Sequence, residues 1–388
     1  MPHIQSIFYN NPDYYPPIIN GAKLLHDAGF TQTIICRNNM RYQGQPYPET
    51  TILHRIVSPT KNSLIEYLAF LWQALCYLPN DGDIAIFVGH DMHGFLVARI
   101  ASWVKRRPLI YHCHDFAEAE RKLGWGGSAV RFCERLFART ADTVIVPDYD
   151  RAIIVAQQLK LQDFPIIVAN APVHFLKCSR ILPETLKARG YPFEKIVLRQ
   201  GRISQGHAIE VTLRSMPLWS NDKWGFVLLG FGDDAYIESL YKLADKLKVR
   251  ERFVILTADS YEAVLEYTAD ADIGHALYEP LHVNHRYITT ASNKTMEYMA
   301  AGLPILLSAT ASSDNLLARH PVGLTADVTS PEAIARAINT VLQNPTLAQN
   351  MSTASRHAFE NEFQYLKQYA PVLAIIRELI AGRHTHAD

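Results

Sequence analysis

Short runs of β-branched and other apolar residues alternate with stretches of helical periodicity through the first part of the chain. Runs of strand length lie at Ile4–Tyr9, Thr33–Cys36, Thr51–Ile56, Ile84–Val88, Leu109–Cys113, Thr143–Val146 and Ile166–Val168. Helical patterns lie at Pro17–Ala28, Ser63–Leu78, Gly94–Val104, Ser128–Arg139 and Arg151–Leu159. Strands that alternate with helices in this way predict an α/β fold, in which a mostly parallel sheet carries helices on both faces.

The alternation lapses and then begins again. No apolar run of strand length falls between Asn170 and Pro192, and this stretch contains three prolines. New strands are predicted at Ile196–Leu198, Phe226–Leu229, Phe253–Leu256, Ile273–Leu277 and Ile305–Ser308, followed by helices over Pro331–Gly382. We therefore predict a first Rossmann-like domain over residues 1–172, a linker over residues 173–194 and a second Rossmann-like domain over residues 195–362.

Composition narrows the class of protein. The 388 residues include 38 basic and 38 acidic side chains, and this formal net charge of zero argues against a general nucleic-acid binder. The five cysteines form no CxxC pair, which argues against a disulfide framework and a structural zinc site. The sequence shows neither a signal-peptide pattern nor an apolar run long enough to span a bilayer, so we expect a cytoplasmic protein.

Ligands of parallel α/β sheets bind beyond the carboxyl ends of the strands. The segment ASNKTMEYMAAGLP, from Ala291 to Pro304, predicts a short helix with a polar start and a stop at Gly302. The free N–H groups at such a start bind diphosphate, with Lys294 beside them and Glu297 one turn on. The alternative interpretation is an ordinary capped helix that packs between strands.

A second segment, LRQGRISQGH, ends a predicted strand in a glycine turn. Gly201 lets the backbone approach a ligand closely, and Arg202 can hold phosphate through two parallel hydrogen bonds. The alternative is a surface turn whose charges are solvated.

Histidines and aspartates follow two strands of the first domain. His114 and Asp115 end the run IYHCHD, where an imidazole can accept a proton or bind a substrate hydroxyl. His90 and Asp91 follow another strand, and there Asp91 has the alternative role of capping the next helix. Metal binding by His112, His114 and Asp115 lacks an evident fourth ligand, so we predict no metal site. A structural role is the remaining alternative for each histidine.

The order and spacing of several motifs resemble the GT-B glycosyltransferases, specifically glycosyltransferase family 4. The motifs are GHD, IYHCHDFAEAE, RTADTVIVPD, QGRISQG, LLGFGDD, ADIGHALYEP and NKTMEYMAAGLPIL. The resemblance implies two Rossmann-like domains that face a central cleft, with the acceptor on the first and a nucleotide-sugar donor on the second. It also implies a C-terminal helix, residues 363–388, that returns to the first domain.

The resemblance also assigns residue roles. Glu297 matches the acid that binds the donor ribose, and His114 matches the histidine near the reacting sugar, beside Asp115. The remaining donor-site positions are Arg202 and His207 at the diphosphate, Asn293 and Lys294 at the helix start, and Thr257 and Ala258 near the base. His90 and Asp91 are candidates for the acceptor side.

Three positions depart from the family pattern. Thr289 stands where a first glutamate is usual, His207 stands where a stronger base is usual, and the loop over residues 11–15 lacks paired glycines. We predict that His207 acts as a cation, so that donor affinity falls as pH rises through its titration.

The predicted function is transfer of a sugar from a nucleotide diphosphate sugar to a carbohydrate or lipid-linked acceptor in glycan or polysaccharide synthesis. Retention of configuration follows from the resemblance, and no cofactor or metal is required because positive groups can stabilise the leaving diphosphate. The alternatives are a nucleotide-sugar epimerase and a non-catalytic GT-B partner protein. An oxidoreductase is disfavoured because no GxGxxG motif follows the first strand.

Peripheral attachment to the inner face of a membrane is a further expectation. The predicted helix from Ser63 to Leu78 is apolar nearly all round, and several basic residues lie in nearby segments: Lys105, Arg106, Arg107, Arg121 and Lys122. The alternative is that this helix is buried between the sheet and its neighbours.

Overall fold

The computed structural model of the protein describes residues 1–38, 47–57, 63–78, 84–115, 124–281 and 283–382. The chain divides into two compact units. The first, the N-terminal unit, comprises Met1–Ala169 and the chain from Tyr365 onward, and the second, the C-terminal unit, comprises Asn170–Gln364.

The N-terminal unit contains a seven-stranded sheet in which all the paired strands are parallel. The strands are β1 His3–Phe8, β2 Thr31–Arg37, β3 Thr51–Ile56, β4 Ile84–His90, β5 Leu109–His112, β6 Thr143–Val146 and β7 Ile166–Ile167. The helices are α1 Pro16–Asp27, α2 Ser63–Cys76, α3 Asp91–Lys105, α4 Trp125–Phe137 and α5 Tyr149–Leu159. The strand order β3-β2-β1-β4-β5-β6-β7 reverses direction between β1 and β4, where a doubly wound sheet opens a ligand crevice.

The C-terminal unit contains a six-stranded parallel sheet with the order β10-β9-β8-β11-β12-β13. Its strands are β8 Lys195–Gln200, β9 Trp224–Leu229, β10 Phe253–Leu256, β11 Ile273–Ala276, β12 Ile305–Ser308 and β13 Gly323–Ala326. Its helices are α6 Ile181–Ala188, α7 Ile209–Ser215, α8 Asp234–Lys246, α9 Tyr261–Ala269, α10 Val283–Arg286, α11 Asn293–Ala301, α12 Ala311–Arg319, α13 Pro331–Leu342 and α14 Pro345–Ala358. The prediction of two Rossmann-like parallel-sheet domains is confirmed.

The last strand, β13, is absent from the sequence-based prediction. Its sequence, GLTA, contains only one large apolar residue, so it lacks the run on which the other strands were recognised. Its place depends on close backbone contact with β12, since a Cβ at Gly323 would lie 1.8 Å from the carbonyl oxygen of Ile305.

The stretch predicted as a linker, residues 173–194, lies entirely within the C-terminal unit. It contains α6, and the side chains of Leu182 and Leu186 are fully buried against strands β8, β9 and β10. Asp270 further ties the start of α6 to the unit by accepting backbone hydrogen bonds from Ser179 at 2.7 Å and Leu182 at 3.0 Å. Sequence reasoning missed this because α6 is short and carries only two core positions.

The final helix, α15 Tyr365–Ala381, belongs to the N-terminal unit. The hydroxyl of Tyr365 donates to the carbonyl of Pro17 in α1 at 2.9 Å, and Gln368 accepts from the backbone N–H of Ala169 at 2.7 Å. Val372 and Ile376 are buried on the same face. The first unit is therefore built from both ends of the described chain.

Helix α2 is only half buried, which disagrees with the alternative interpretation of a helix buried between the sheet and its neighbours. Tyr67 and Phe70 pack into the N-terminal unit, whereas Leu68 is 55% exposed and Trp72 is 69% exposed. Leu64 and Ile65 are also exposed. Among the described residues, none of the helices combines the length and apolar character needed to cross a bilayer.

Candidate functional site

The first candidate cluster lies at the carboxyl ends of β4 and β5 in the N-terminal unit. Parallel register pairs His90 with His112, and His114 follows two residues later on the same side. Nδ1 of His90 lies 3.0 Å from Nε2 of His114, and the two rings stack with centroids 5.3 Å apart. The ring of His112 lies 3.9 Å from that of His114. Strand order thus joins residues that the sequence suggested in two separate motifs.

His114 is buried within this cluster, with 1% of its surface exposed. Phe8 and Tyr15 pack edge-on against its ring. Burial holds all three imidazoles neutral: it lowers the pKa of His90 to about 3 and the pKa values of His112 and His114 well below the usual range.

Asp91 organises the backbone beside the histidines. Its carboxylate accepts hydrogen bonds from the backbone N–H groups of His114 at 2.9 Å and Asp115 at 3.1 Å. It does not cap α3, because the cap position is His90 and no side chain there accepts a bond from the first turn. Asp91 also has φ 53°, a left-handed conformation that costs free energy in a non-glycine residue. Burial, followed by the charge of Asp115, raises the pKa of Asp91 to about 8.

Asp115 is mostly exposed and lies next to Arg151. The guanidinium of Arg151 donates to the carbonyl of His114 at 2.8 Å and pairs with Asp115 at 3.2 Å. The backbone N–H of Arg151 is in turn bound by Asp148, which caps α5 at 2.8 Å. The loop that carries His114 and Asp115 is therefore held from both sides.

The second candidate cluster lies in the C-terminal unit, where β8 ends and α11 begins. Gly201 has φ 91°, and a Cβ there would lie 3.2 Å from Cε of Lys294. Gly230 approaches the same loop so closely that a Cβ would lie 1.9 Å from the carbonyl oxygen of Gly201. The glycines thus let two loops and the Lys294 side chain meet.

Helix α11 begins as the sequence predicted. Ser292 is the N-cap residue in extended conformation, and Gly302 ends the helix with φ 71°. The side chain of Ser292 does not cap the first turn; its hydroxyl lies 3.3 Å from the hydroxyl of Tyr278 instead. The first-turn N–H groups of Asn293 and Lys294 therefore lie at a helix start that attracts anions.

Positive charge converges on Tyr278, a residue that the sequence did not single out. Nζ of Lys294 donates to its hydroxyl at 3.0 Å, and the guanidinium carbon of Arg199 lies 4.9 Å from its ring centroid. Burial by itself raises the pKa of this phenol, but Lys294 and then Arg199 outweigh burial and lower it to about 8. The lowered pKa of Tyr278 therefore reflects the positive charge of Lys294 and Arg199 around its ring.

Arg199, on strand β8, was also not singled out by the sequence analysis. It is fully buried and donates to the carbonyl of Leu277 at 2.9 Å. Its Nε and Nη2 atoms have no hydrogen-bond partner among the residues that the structure describes. A buried cation of this kind is costly unless an anion balances it.

His207 and Arg202 follow Gly201. Nδ1 of His207 lies 2.9 Å from the carbonyl oxygen of Arg202, whose own side chain is exposed. Burial, then the charges of Arg199 and Lys294, lower the pKa of His207 to about 2. The prediction that His207 acts as a cation near neutral pH is therefore wrong for the free protein, because burial, and after it the positive neighbours, disfavour the protonated ring.

Glu297 is buried on the second turn of α11, with 3% of its surface exposed. It accepts from the hydroxyl of Tyr261 at 2.7 Å and from the amide of Gln200. Burial raises its pKa. Glu297 is therefore not a solvated surface residue of α11. A carboxylate has about four acceptor sites, so these two bonds leave room for further donors.

The remaining predicted positions lie in the C-terminal unit. Thr257 and Ala258 directly follow β10, where Thr257 is exposed and Ala258 packs against the core around α6. Thr289, which replaces the usual first glutamate, is buried, and its hydroxyl lies 3.0 Å from that of Ser313. It therefore has a local partner.

Models of two glycosyltransferase families match the two halves of the sequence. The family model for the "Glycosyl transferase 4-like domain" matches residues 21–152, and that for "Glycosyl transferases group 1" matches residues 188–358. No curated protein sequence matches the chain.

Solved structures with similar folds include HepE from Anabaena in complex with UDP and glucose, at 14% identity and a TM-score of 0.75 over 97% of this chain and 100% of that one. A sucrose-phosphate synthase from Thermosynechococcus elongatus matches at 16% identity and a TM-score of 0.74, over 98% and 100% of the two chains. A glycosyltransferase from Rickettsia africae matches at 15% identity and a TM-score of 0.69, over 98% of each chain. The two family matches and this shared architecture establish that the chain belongs to the GT-B glycosyltransferases of the family 4 type.

Proposed function

We propose that the C-terminal unit binds a nucleoside diphosphate sugar, whose sugar the enzyme transfers to an acceptor with retention of configuration. The observation that carries the proposal is the convergence of Arg199, Lys294 and the start of α11 beside the Gly201 turn. Two fixed cations and a helix start form a site for a diphosphate, the group whose negative charge increases as the sugar leaves. The similar HepE structure, which contains UDP, favours uracil as the base.

Donor binding in this proposal requires no divalent metal. Lys294 and the buried Arg199 supply positive charge that a metal supplies in other sites, and Arg202 adds an exposed guanidinium at the same turn. Because these cations are in place before the ligand arrives, they stabilise the leaving diphosphate without reorganisation.

Calorimetry with UDP tests both statements. Lys294→Met is expected to weaken UDP binding by about 1.5–3 kcal/mol, or roughly 10- to 150-fold, because it removes a charge-assisted hydrogen bond. Lys242→Met is the matched control, since Lys242 is an exposed lysine on α8 paired with Glu238 at 2.7 Å. Wild-type binding is expected to survive EDTA. Loss of binding in EDTA contradicts metal independence, and equal affinities of the two variants contradict the phosphate site.

His114 is the proposed group at the reacting sugar, with Asp115 beside it. Its neutral imidazole can accept or donate one hydrogen bond, which suits a sugar hydroxyl better than a phosphate. His114→Ala is expected to reduce turnover by about 100-fold or more while UDP affinity stays within about twofold, because the two sites lie in different units. Unchanged turnover in a folded variant removes His114 from the reaction.

Product analysis separates this function from epimerisation on the same fold. A transferase makes a glycosylated acceptor and releases nucleoside diphosphate, whereas an epimerase returns an isomeric nucleotide sugar without acceptor. Incubation of a nucleotide sugar with the enzyme alone is expected to give no isomer.

We also propose that the N-terminal unit docks on an anionic membrane surface, where a lipid-linked acceptor is located. The exposed apolar residues of α2 continue onto α4: a Cβ at Gly126 would lie 3.2 Å from Leu64, and Phe132 and Leu136 of α4 are exposed. Trp103 of α3 extends the same surface through its contact with Phe137.

Charge at this apolar surface favours an anionic lipid over a neutral partner. Arg135 is exposed on α4 between Phe132 and Leu136, and Arg139 is exposed in the following turn. Lys105 and Arg106 lie at the end of α3, whereas Arg121 and Lys122 lie outside the described residues. Apolar insertion combined with basic residues gives binding that salt weakens.

Sedimentation with phosphatidylserine-containing vesicles tests the docking surface. A Leu68→Ser and Trp72→Ser double variant is expected to lose most binding, because both side chains are exposed on α2. Leu218→Ser is the control, since Leu218 is 48% exposed in the C-terminal unit. Absence of wild-type binding at low salt contradicts the proposal.

A further inference from the structure

We propose that His90, His112 and His114 form a binding site for a divalent transition-metal ion such as Zn²⁺. The site lies in the N-terminal unit and is separate from the proposed donor site. The sequence suggested at most two of these histidines as ligands, together with Asp115, whose side chain is exposed and paired with Arg151. The structure replaces Asp115 with His90.

Geometry brings one ring nitrogen of each histidine close to the others. The three candidate ligand atoms all lie within 4.8 Å of one another, and all three residues are buried. Nitrogens that share one Zn²⁺ at bond lengths of about 2.0–2.1 Å lie roughly 3.4 Å apart, so the rings have to rotate to bring the more distant nitrogens onto one ion. The strands β4 and β5 hold two of them in paired register.

Unsatisfied ring atoms point to the same conclusion. Nε2 of His90, Nε2 of His112 and Nδ1 of His114 are buried and have no hydrogen-bond partner among the described residues. Buried polar atoms are normally paired, so these three ring nitrogens leave the cluster with capacity to bind a ligand.

The chemistry of the cluster selects the class of ligand. A metal ion binds imidazole through a ring nitrogen that carries no proton. Three imidazoles suit Zn²⁺, Co²⁺, Ni²⁺ or Cu²⁺ rather than Mg²⁺ or Ca²⁺, which prefer oxygen ligands. The carboxyl group of Asp91 accepts a hydrogen bond from the backbone N–H of His114 and so fixes the loop that carries this ligand.

One functional consequence follows. A metal at this site occupies a nitrogen of His114 and fixes its ring, so a bound ion is expected to lower turnover without changing UDP affinity. The metal site does not depend on the transferase reaction, and it is tested by binding alone.

Equilibrium dialysis of tag-free full-length protein against Zn²⁺, followed by metal analysis, measures the stoichiometry. About one ion per chain is expected. His112→Leu is expected to weaken binding by more than about 100-fold, since loss of an outer-shell partner alone costs 10- to 100-fold. His26→Gln is the control, because His26 is a partly buried histidine of the same unit that pairs with Thr50 at 2.9 Å.

Co²⁺ titration gives a second measurement that needs no variant to fold. Wild-type protein is expected to develop visible absorption bands of nitrogen-ligated cobalt, which saturate near one equivalent and disappear on addition of Zn²⁺. No bands in the wild type, or the same Zn²⁺ stoichiometry and affinity in His112→Leu as in His26→Gln, overturns the proposal.

Discussion

At the scale of single residues, Glu297 gives the sharpest test of the donor site. It lies four residues after Asn293, on the same side of α11 as the helix start. A nucleotide held by its diphosphate at that start has its ribose beside the first turns, where two hydroxyls need acceptors. Glu297 is bound by Tyr261 and Gln200, and it keeps further acceptor capacity.

Glu297→Gln is expected to weaken UDP binding by about 1.5–3 kcal/mol, or roughly 10- to 150-fold, with the fold intact. The loss is expected to be much smaller for the dideoxyribose analogue, which lacks the hydroxyls. Calorimetry measures both ligands, with Glu266→Gln, an exposed glutamate on α9, as the control. Equal UDP affinity in wild type and Glu297→Gln contradicts the proposal that Glu297 binds the ribose hydroxyls.

Tyr278, rather than His207, is expected to set the pH dependence of donor binding. His207, with a pKa of about 2, stays neutral from pH 5.5 upward and contributes no titration there. Tyr278, with a pKa of about 8, becomes a phenolate above that pH in the free protein. A phenolate repels the diphosphate, so a bound diphosphate raises the phenol pKa and binding takes up a proton.

UDP affinity is therefore expected to fall above about pH 8, by at most about tenfold per pH unit. Tyr278→Phe is expected to flatten the profile between pH 7.5 and 9.5. Calorimetry in buffers of different ionisation enthalpy measures the proton uptake directly. A wild-type profile that matches Tyr278→Phe through this range rules out the phenolate.

At the scale of elements, α6 decides where the C-terminal unit begins. Leu182 is fully buried, whereas its neighbour Ile181 is 39% exposed. Leu182→Ala is expected to cost about 2–5 kcal/mol of unfolding free energy, because it leaves a cavity against the sheet. Ile181→Ala is expected to cost less than about 0.5 kcal/mol.

Urea denaturation followed by fluorescence measures both variants of α6. If α6 were only a linker, both substitutions would change the free energy of unfolding by the same small amount. Equal stabilities of the two variants therefore show that α6 does not contribute to the core. The comparison is matched, since both residues are branched aliphatic side chains on one helix.

At the scale of the whole molecule, the N-terminal unit is assembled from two segments that are far apart in the sequence. Ile376 of α15 is 1% exposed, and the rest of its unit comes from Met1–Ala169, at the other end of the chain. Ile376→Ala is expected to destabilise this unit by about 2–5 kcal/mol, whereas Leu366→Ala, at 48% exposed, is expected to change little.

UDP affinity of Ile376→Ala is expected to stay unchanged, because the proposed donor residues all belong to the other unit. Amide hydrogen exchange of Ile376→Ala, compared with wild type, shows which of the two units loses protection. Faster exchange confined to the C-terminal unit contradicts this placement of α15.

The sequence by itself determined the α/β class, the two Rossmann-like domains and twelve of the thirteen strands, because apolar runs and helical periodicity are local signals. It also located α11 and the Gly201 turn, since caps and glycine turns are local too. The strand β13 and helix α6 were missed because their core positions are few.

Tertiary structure alone decided which of these local features meet. The register of β4 and β5 joined His90 to His112 and His114, and no spacing in the sequence reveals that pairing. The folding of the C-terminal unit brought Arg199, Tyr278 and Lys294 together, and the two cations lower the pKa of Tyr278, whereas burial is the main cause of the low pKa of His207. Ionisation depends on burial and on neighbours distant in the chain, so the sequence could name His207 but could not determine its charge.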